Sequence, residues 1–153
     1  MALELSGERK VALAQEALWR LLNDPQVLVK AIPGCNAVEP AGEDCYRMGL
    51  KLQVGSVSGS YMGTVRILEK EQPARYVLQI EGEGSLGFMK GMAIFDLVAT
   101  AANESLLKYD GSAEVGGVVA GVGQRVLSGV AKFLAGQFFK NLDKLIANPQ
   151  FRD

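Results

Sequence analysis

Residues 121–148, GVGQRVLSGVAKFLAGQFFKNLDKLIAN, decide how the rest of the chain must fold. At about 3.6 residues per turn, Leu127, Ala131, Leu134, Phe138, Leu142 and Leu145 fall on one stripe. Arg125, Lys132, Lys140 and Asp143 collect on the opposite side. The pattern predicts one amphipathic helix over Gly121–Asn148, roughly 40 Å long at about 1.5 Å per residue. A helix with so much apolar face does not stand alone in water and needs a broad partner surface.

Working back along the chain, everything between Cys35 and Gly117 reads as strands, so the partner is a sheet. Cys45 to Val54 alternates, with Tyr46, Met48, Leu50, Leu52 and Val54 on one face. Gly55-Ser56 reads as a two-residue hairpin turn. Val57 to Leu68 returns with Gly59, Tyr61, Gly63, Val65 and Ile67 inward. Arg75 to Glu83 turns Tyr76, Leu78 and Ile80 inward, and Phe88 to Ala99 does the same with Ala93, Phe95 and Leu97. Leu106 to Val115 ends the series with Leu107, Tyr109, Gly111, Ala113 and Val115 inward. A short strand, Asn36 to Glu39, precedes these five. Before it stand a first strand within Met1–Leu13 and two short helices, Ala14–Asn23 and Pro25–Ala31. Asp24 and Pro25 form a good N-cap and first-turn pair for the second helix.

The predicted order is therefore strand, two short helices, six strands, long helix. It is an α+β fold: one domain over residues 1–153, with a curved antiparallel sheet of about seven strands wrapped around the long C-terminal helix. Small residues on the concave face, Gly59, Gly63, Ala93, Gly111 and Ala113, interleave with Tyr46, Tyr61 and Tyr109. Either aromatic rings fill that space or it is a pocket.

Composition narrows the chemistry. Among 153 residues 48% are hydrophobic and 22% charged, ordinary for a globular chain, and the net charge of −1 carries no footprint for nucleic acid. No apolar run reaches the roughly 18–20 residues that span a bilayer. Met1 to Lys10 lacks the apolar core of a signal peptide, so a reduced, cytoplasmic setting is expected. There is no histidine at all. That removes Ser-His-Asp and Cys-His catalysis, the usual imidazole zinc sites and the commonest general base. No catalytic residue, metal site or cofactor is read from the sequence.

The remaining motifs have plain explanations. Gly82 to Gly87 matches G-x-G-x-x-G, but a dinucleotide site needs that motif to open a helix, and here a strand follows, so a glycine-rich hairpin is expected. Cys35 and Cys45 lack partners at ligand spacing and read as small buried residues. Asp96, Asp110 and Glu114 fall on the outward face and form solvated rows. An inward tyrosine hydroxyl either bonds structurally or grips a ligand oxygen.

Several blocks in order resemble one known family. They are Ile32-Pro33-Gly34-Cys35, the run Val57 to Val65, Gly87-Phe88-Met89-Lys90-Gly91, Glu114-Val115-Gly116-Gly117, and Leu134-Ala135-Gly136-Gln137-Phe138-Phe139. Together they resemble the carbon monoxide dehydrogenase G-subunit family, within the START and pollen-allergen-like superfamily. The resemblance implies a helix-grip fold with an internal apolar cavity between sheet and long helix. It also implies a non-enzymatic accessory role, linking a molybdenum-containing carbon monoxide dehydrogenase or related oxidoreductase to the membrane and its quinone pool. Some members carry a C-terminal anchoring extension; none follows Asp153 here, so peripheral contact at the inner face of the membrane is the expectation.

The expected ligand is a quinone or lipid. The expected cavity residues are Tyr46, Leu50, Tyr61, Gly63, Leu78, Phe95, Tyr109, Gly111, Leu127, Ala131, Leu134 and Phe138, with Leu134 facing Gly63 and Gly111. The expected mouth is Leu86, Phe88, Met89, Val118 and Val119. Two other readings remain: an adaptor or assembly factor with a solid core, and an enzyme on the same fold, such as a cyclase, dehydratase or hydrolase.

Overall fold

The computed structural model describes residues 1–148; the end of the chain at Asp153, on which the expectation about an anchor rests, lies outside them. Seven strands form one antiparallel sheet: β1 (Ala2–Val11), β2 (Cys35–Pro40), β3 (Cys45–Leu52), β4 (Gly59–Glu71), β5 (Arg75–Gly84), β6 (Gly87–Ala101) and β7 (Glu104–Gly116). Their spatial order is β1-β7-β6-β5-β4-β3-β2. Strands β2 to β7 thus form a meander, and β1 closes onto the last of them. Two short helices, α1 (Gln15–Leu22) and α2 (Pro25–Ala31), separate β1 from β2, and α3 (Gln124–Ala147) ends the described chain. As the sequence predicts, the Asp24 carboxylate accepts the Gln26 N–H at 2.9 Å and Pro25 fills the first turn of α2.

Solid packing is divided between the two ends of the molecule. One cluster gathers Val11, Leu18, Trp19, Leu22, Leu97, Leu107, Phe139, Leu142 and Ile146 around the C-terminal half of α3. The other holds Val57, Val115, Val119 and Leu127 at the start of α3. Polar ties fix the helix at both ends. The Gln124 amide donates to the Ala2 carbonyl at 2.8 Å, and the Asn141 amide donates to the Ala31 carbonyl at 3.0 Å. Arg9 pairs with Asp143 and lies 5.4 Å from the Phe139 ring centroid. With α3 pinned this way, its middle need not touch the sheet.

Two expectations change. The side chains of α3 buried most deeply are Leu127, Phe139, Leu142 and Ile146, so the buried seam is not the single stripe read from the sequence. In its C-terminal half α3 is covered by β1 and α2 as well as by the sheet floor, which rotates the seam toward Phe139 and Ile146 and ties Asp143 to Arg9. Gly55-Ser56 is also not a two-residue hairpin. β3 stops at Leu52, a short 3-10 turn runs Gly55–Val57, and β4 begins at Gly59. Val57, 4% exposed, is drawn into the second cluster and pulls the connection inward.

Candidate functional site

Between the two clusters, the concave face of the sheet is floored by small residues. Cross-strand register places Gly63 opposite Gly82 and Ala93 opposite Gly111. A Cβ built on Gly63, Gly82 or Gly111 would meet nothing closer than 3.4 Å. These glycines are therefore not demanded by close packing; they leave volume. Gly87 is the opposite case. Its φ is +145° and a Cβ there would come within 2.2 Å of the Gly116 carbonyl oxygen, so the β5–β6 hairpin and the exit of β7 touch backbone to backbone. The G-x-G-x-x-G match is this hairpin.

The space left is two adjoining chambers. The inner one has a volume of about 360 Å³ and runs from the helix pair, at Leu22, Asn23 and Leu28, across the floor to Ala135 and Phe138 of α3. The outer one has a volume of about 290 Å³ and is bounded by Pro33, Leu52, Val57 and the first half of α3. Ile32, Leu50, Gly82 and Met89 border both. Neither is fully enclosed, and each lies near the lower end of the usual range for small-molecule sites.

Tyr46, Gly63, Leu78, Phe95, Tyr109, Gly111 and Phe138 line the inner chamber, Leu50 lines both, and Tyr61, Leu127, Ala131 and Leu134 line the outer one. Leu134 is thus not across from Gly63 and Gly111. Ala135 and Phe138 take that place, because α3 is rotated slightly from the orientation its apolar stripe implies. Gly59 and Ala113 border neither chamber.

The tyrosine hydroxyls divide. Tyr61 donates to the Val57 carbonyl at 2.7 Å, so its ring forms wall and its hydroxyl is taken. Tyr109 leans over Gly7, its register partner on β1, where an added Cβ would lie 2.5 Å from the hydroxyl oxygen. Its ring packs at 5.2 Å on Phe139. Tyr76 sits between Trp19 and Phe95, ring centroids 5.2 Å away on each side, and burial pushes its hydroxyl well above the ordinary tyrosine range.

At the expected mouth, Phe88, Met89 and Val119 border the outer chamber, while Leu86 packs behind them on the second cluster. Val119 is not a lip residue. It is 9% exposed, and its N–H bonds the Leu86 carbonyl at 2.6 Å, which locks it into the wall. Val118 beside it is 74% exposed, and Phe88 is 47% exposed. Sequence reasoning missed the contribution of the helix pair, Leu22, Asn23, Leu28 and Ile32. It also missed Gly82, which the hairpin motif absorbed, although the alternation of β5 continues through it.

Chemically the lining is almost wholly apolar. Among the described residues bordering either chamber, Glu81 is the single carboxylate, and it is exposed on an outward strand position. No pair of acids converges there to act as acid and base.

Known proteins place this architecture. The family model for CoxG, the G-subunit of carbon monoxide dehydrogenase, matches residues 7–147. A conserved protein from Geobacillus kaustophilus is 39% identical, with 95% of each chain covered and a TM-score of 0.92. A START superfamily protein from Mycobacterium smegmatis shares the fold at 16% identity, covering 92% of this chain and 94% of that one, TM-score 0.74. So does a truncated norcoclaurine synthase from Thalictrum flavum, at 15% identity, 97% and 95% coverage and TM-score 0.68. Among curated proteins, none matches the sequence. With the family model spanning nearly the whole of this START-like, helix-grip fold, the chain belongs to the CoxG family, that of the carbon monoxide dehydrogenase G-subunit.

Proposed function

We propose that this protein is a non-enzymatic carrier of one lipophilic molecule, a quinone or a lipid. It would hold that molecule in the paired chambers and serve as accessory to a carbon monoxide dehydrogenase-type molybdenum oxidoreductase. The observation that carries the reading is the floor of the inner chamber. Gly63, Gly82 and Gly111 have room for side chains they do not bear, under a wall that is otherwise hydrocarbon and aromatic. Leaving such a volume dry and empty sacrifices dispersion contacts, and an apolar guest restores them. Family membership supports the partner, and the lack of paired acids at the chambers favours a carrier over an enzyme, although norcoclaurine synthase uses the same fold.

Mass spectrometry of organic extracts of the purified protein, with titration of ubiquinone and menaquinone analogues, tests it. A co-purifying lipophilic species or saturable quinone binding is the expected result. Neither one, across repeated preparations, counts decisively against a carrier.

Membrane contact belongs to the same reading, and the expected site is the rim. No described helix is long and apolar enough to cross a membrane. Phe88 and Val118 are exposed beside the outer chamber and are suited to shallow insertion. Phe88→Asp combined with Val118→Asp is expected to lower co-sedimentation with liposomes by roughly tenfold, the effect of losing about 1.4 kcal/mol. Far-ultraviolet circular dichroism should not change. Val119→Asp is unsuitable for this purpose, since it would bury a charge in the second cluster. Undiminished co-sedimentation of the double variant would remove the rim from the membrane model.

A further inference from the structure

The back of α3, turned away from the sheet, carries a surface that the chambers do not explain. Arg125, Lys132, Lys140 and Lys144 are all exposed there, with Val126 49% and Phe133 56% exposed among them. At about 100° per residue these six share roughly a third of the helix circumference, over roughly 28 Å of its length. Among the described residues none of the four cations has a carboxylate partner, and Asp143, the one acid of α3, is taken by Arg9. Four cations against one acid give α3 a net charge of +3 in a chain of formal charge −1, which leaves −4 on the rest.

We propose that this face of α3 is a docking surface for an anionic bilayer. The helix lies flat on the headgroups, its cations meet the lipid phosphates, and Val126 and Phe133 dip between them. The proposal rests on the membrane contact proposed for the rim and adds to it an orientation and a lipid. Charge selects the occupant. A second copy of the chain would set like cations against each other. A protein partner is anchored by side chains buried in recesses, and the middle of this face offers none: a Cβ on Gly129 or Gly136 meets nothing within 4 Å. A bilayer needs no recess and presents negative charge along the whole helix. The same charge repels the negative remainder of the molecule, which turns α3 toward the membrane. Docked this way, the partly exposed Val130, Ala131 and Leu134, which border the outer chamber, lie on the membrane side, and a guest has an apolar path into lipid.

The test is flotation of the full chain with vesicles of phosphatidylcholine alone, or of phosphatidylcholine and phosphatidylglycerol in equal parts, at low and high salt. The native protein is expected to bind the anionic vesicles roughly tenfold or more tightly than the neutral ones, and to be released from them by salt. Lys132→Gln combined with Lys140→Gln should weaken that binding roughly thirtyfold. Gly129→Leu adds apolar bulk where nothing stands in its way and should tighten it severalfold. Neither change should lower the melting temperature, since all three positions are exposed.

Equal binding to the two vesicles would overturn the docking surface. So would native-like binding by Lys132→Gln/Lys140→Gln while Phe88→Asp/Val118→Asp is released, and the rim contact would then stand alone. Weaker binding by Gly129→Leu would overturn the flat-lying helix. Failure to bind either vesicle would overturn docking and rim together and assign the α3 cations to an acidic protein surface. Ligand carriage would be untouched by that result, because the extracts and quinone titrations decide it separately.

Discussion

Leu142→Ala is expected to cost about 2–5 kcal/mol of unfolding free energy, while Leu134→Ala, two turns earlier on α3, is expected to cost about 1 kcal/mol or less. The two positions carry the same side chain on the same helix. Leu142 is 1% exposed, and is enclosed in the cluster that includes Val11, Leu107 and Phe139. Removing it leaves a hole in packed surroundings that relax only partly. Leu134 borders the outer chamber, so one side of it already lacks neighbours, and truncation merely enlarges an existing space.

For a chain of this size about 1 kcal/mol corresponds to about 2–4 °C, so the two melting temperatures should separate clearly. Urea titration of both variants and the native protein provides the free energies. Equal losses at the two positions would mean that the middle of α3 is as tightly packed as its end, and the chambers would lose their physical basis.

Much of this could be read before the structure. Alternation located the strands because each has one face toward a core and one toward water, and that demand is local. The α2 start was legible because Asp24 and Pro25 act within their own turn. The grip of helix on sheet followed from supply and demand: a single long apolar face, and a single concave surface in need of cover. What escaped the reading depends on contacts distant in sequence. The rotation of α3 is imposed by Arg9 and Ala31, more than a hundred residues away, through Asp143 and Asn141. The turn at Gly55–Val57 departs from a tight hairpin because Val57 has a partner in Val119. Gly82 was hidden by a motif that outweighed the alternation around it. Asn23 gave no signal as chamber wall, since an asparagine after a helix is an ordinary stop.

Filling the chambers should affect binding more than any other change. Leu134→Trp places an indole in the outer chamber and Ala135→Trp places one in the inner chamber. In a packed interior either substitution would overpack and cost about 1–3 kcal/mol. In a vacant space the added ring gains contacts, so the melting temperature of ligand-free protein should hold or rise. Binding of a lipophilic probe is expected to weaken by roughly a hundredfold, equivalent to about 2.8 kcal/mol, wherever the ring and the probe compete for one volume.

The pair also reports how a guest lies. Ile32, Leu50, Gly82 and Met89 border both chambers, so a long ligand can thread past them. If it does, each tryptophan alone abolishes binding. A short ligand held in the inner chamber would be lost only in Ala135→Trp and would tolerate Leu134→Trp. Isothermal titration with probes of increasing chain length, on both variants, distinguishes these cases. A fall in stability of several degrees in both ligand-free variants, with probe affinity unchanged, would show that the volume between α3 and the sheet is neither vacant nor the place where a ligand binds.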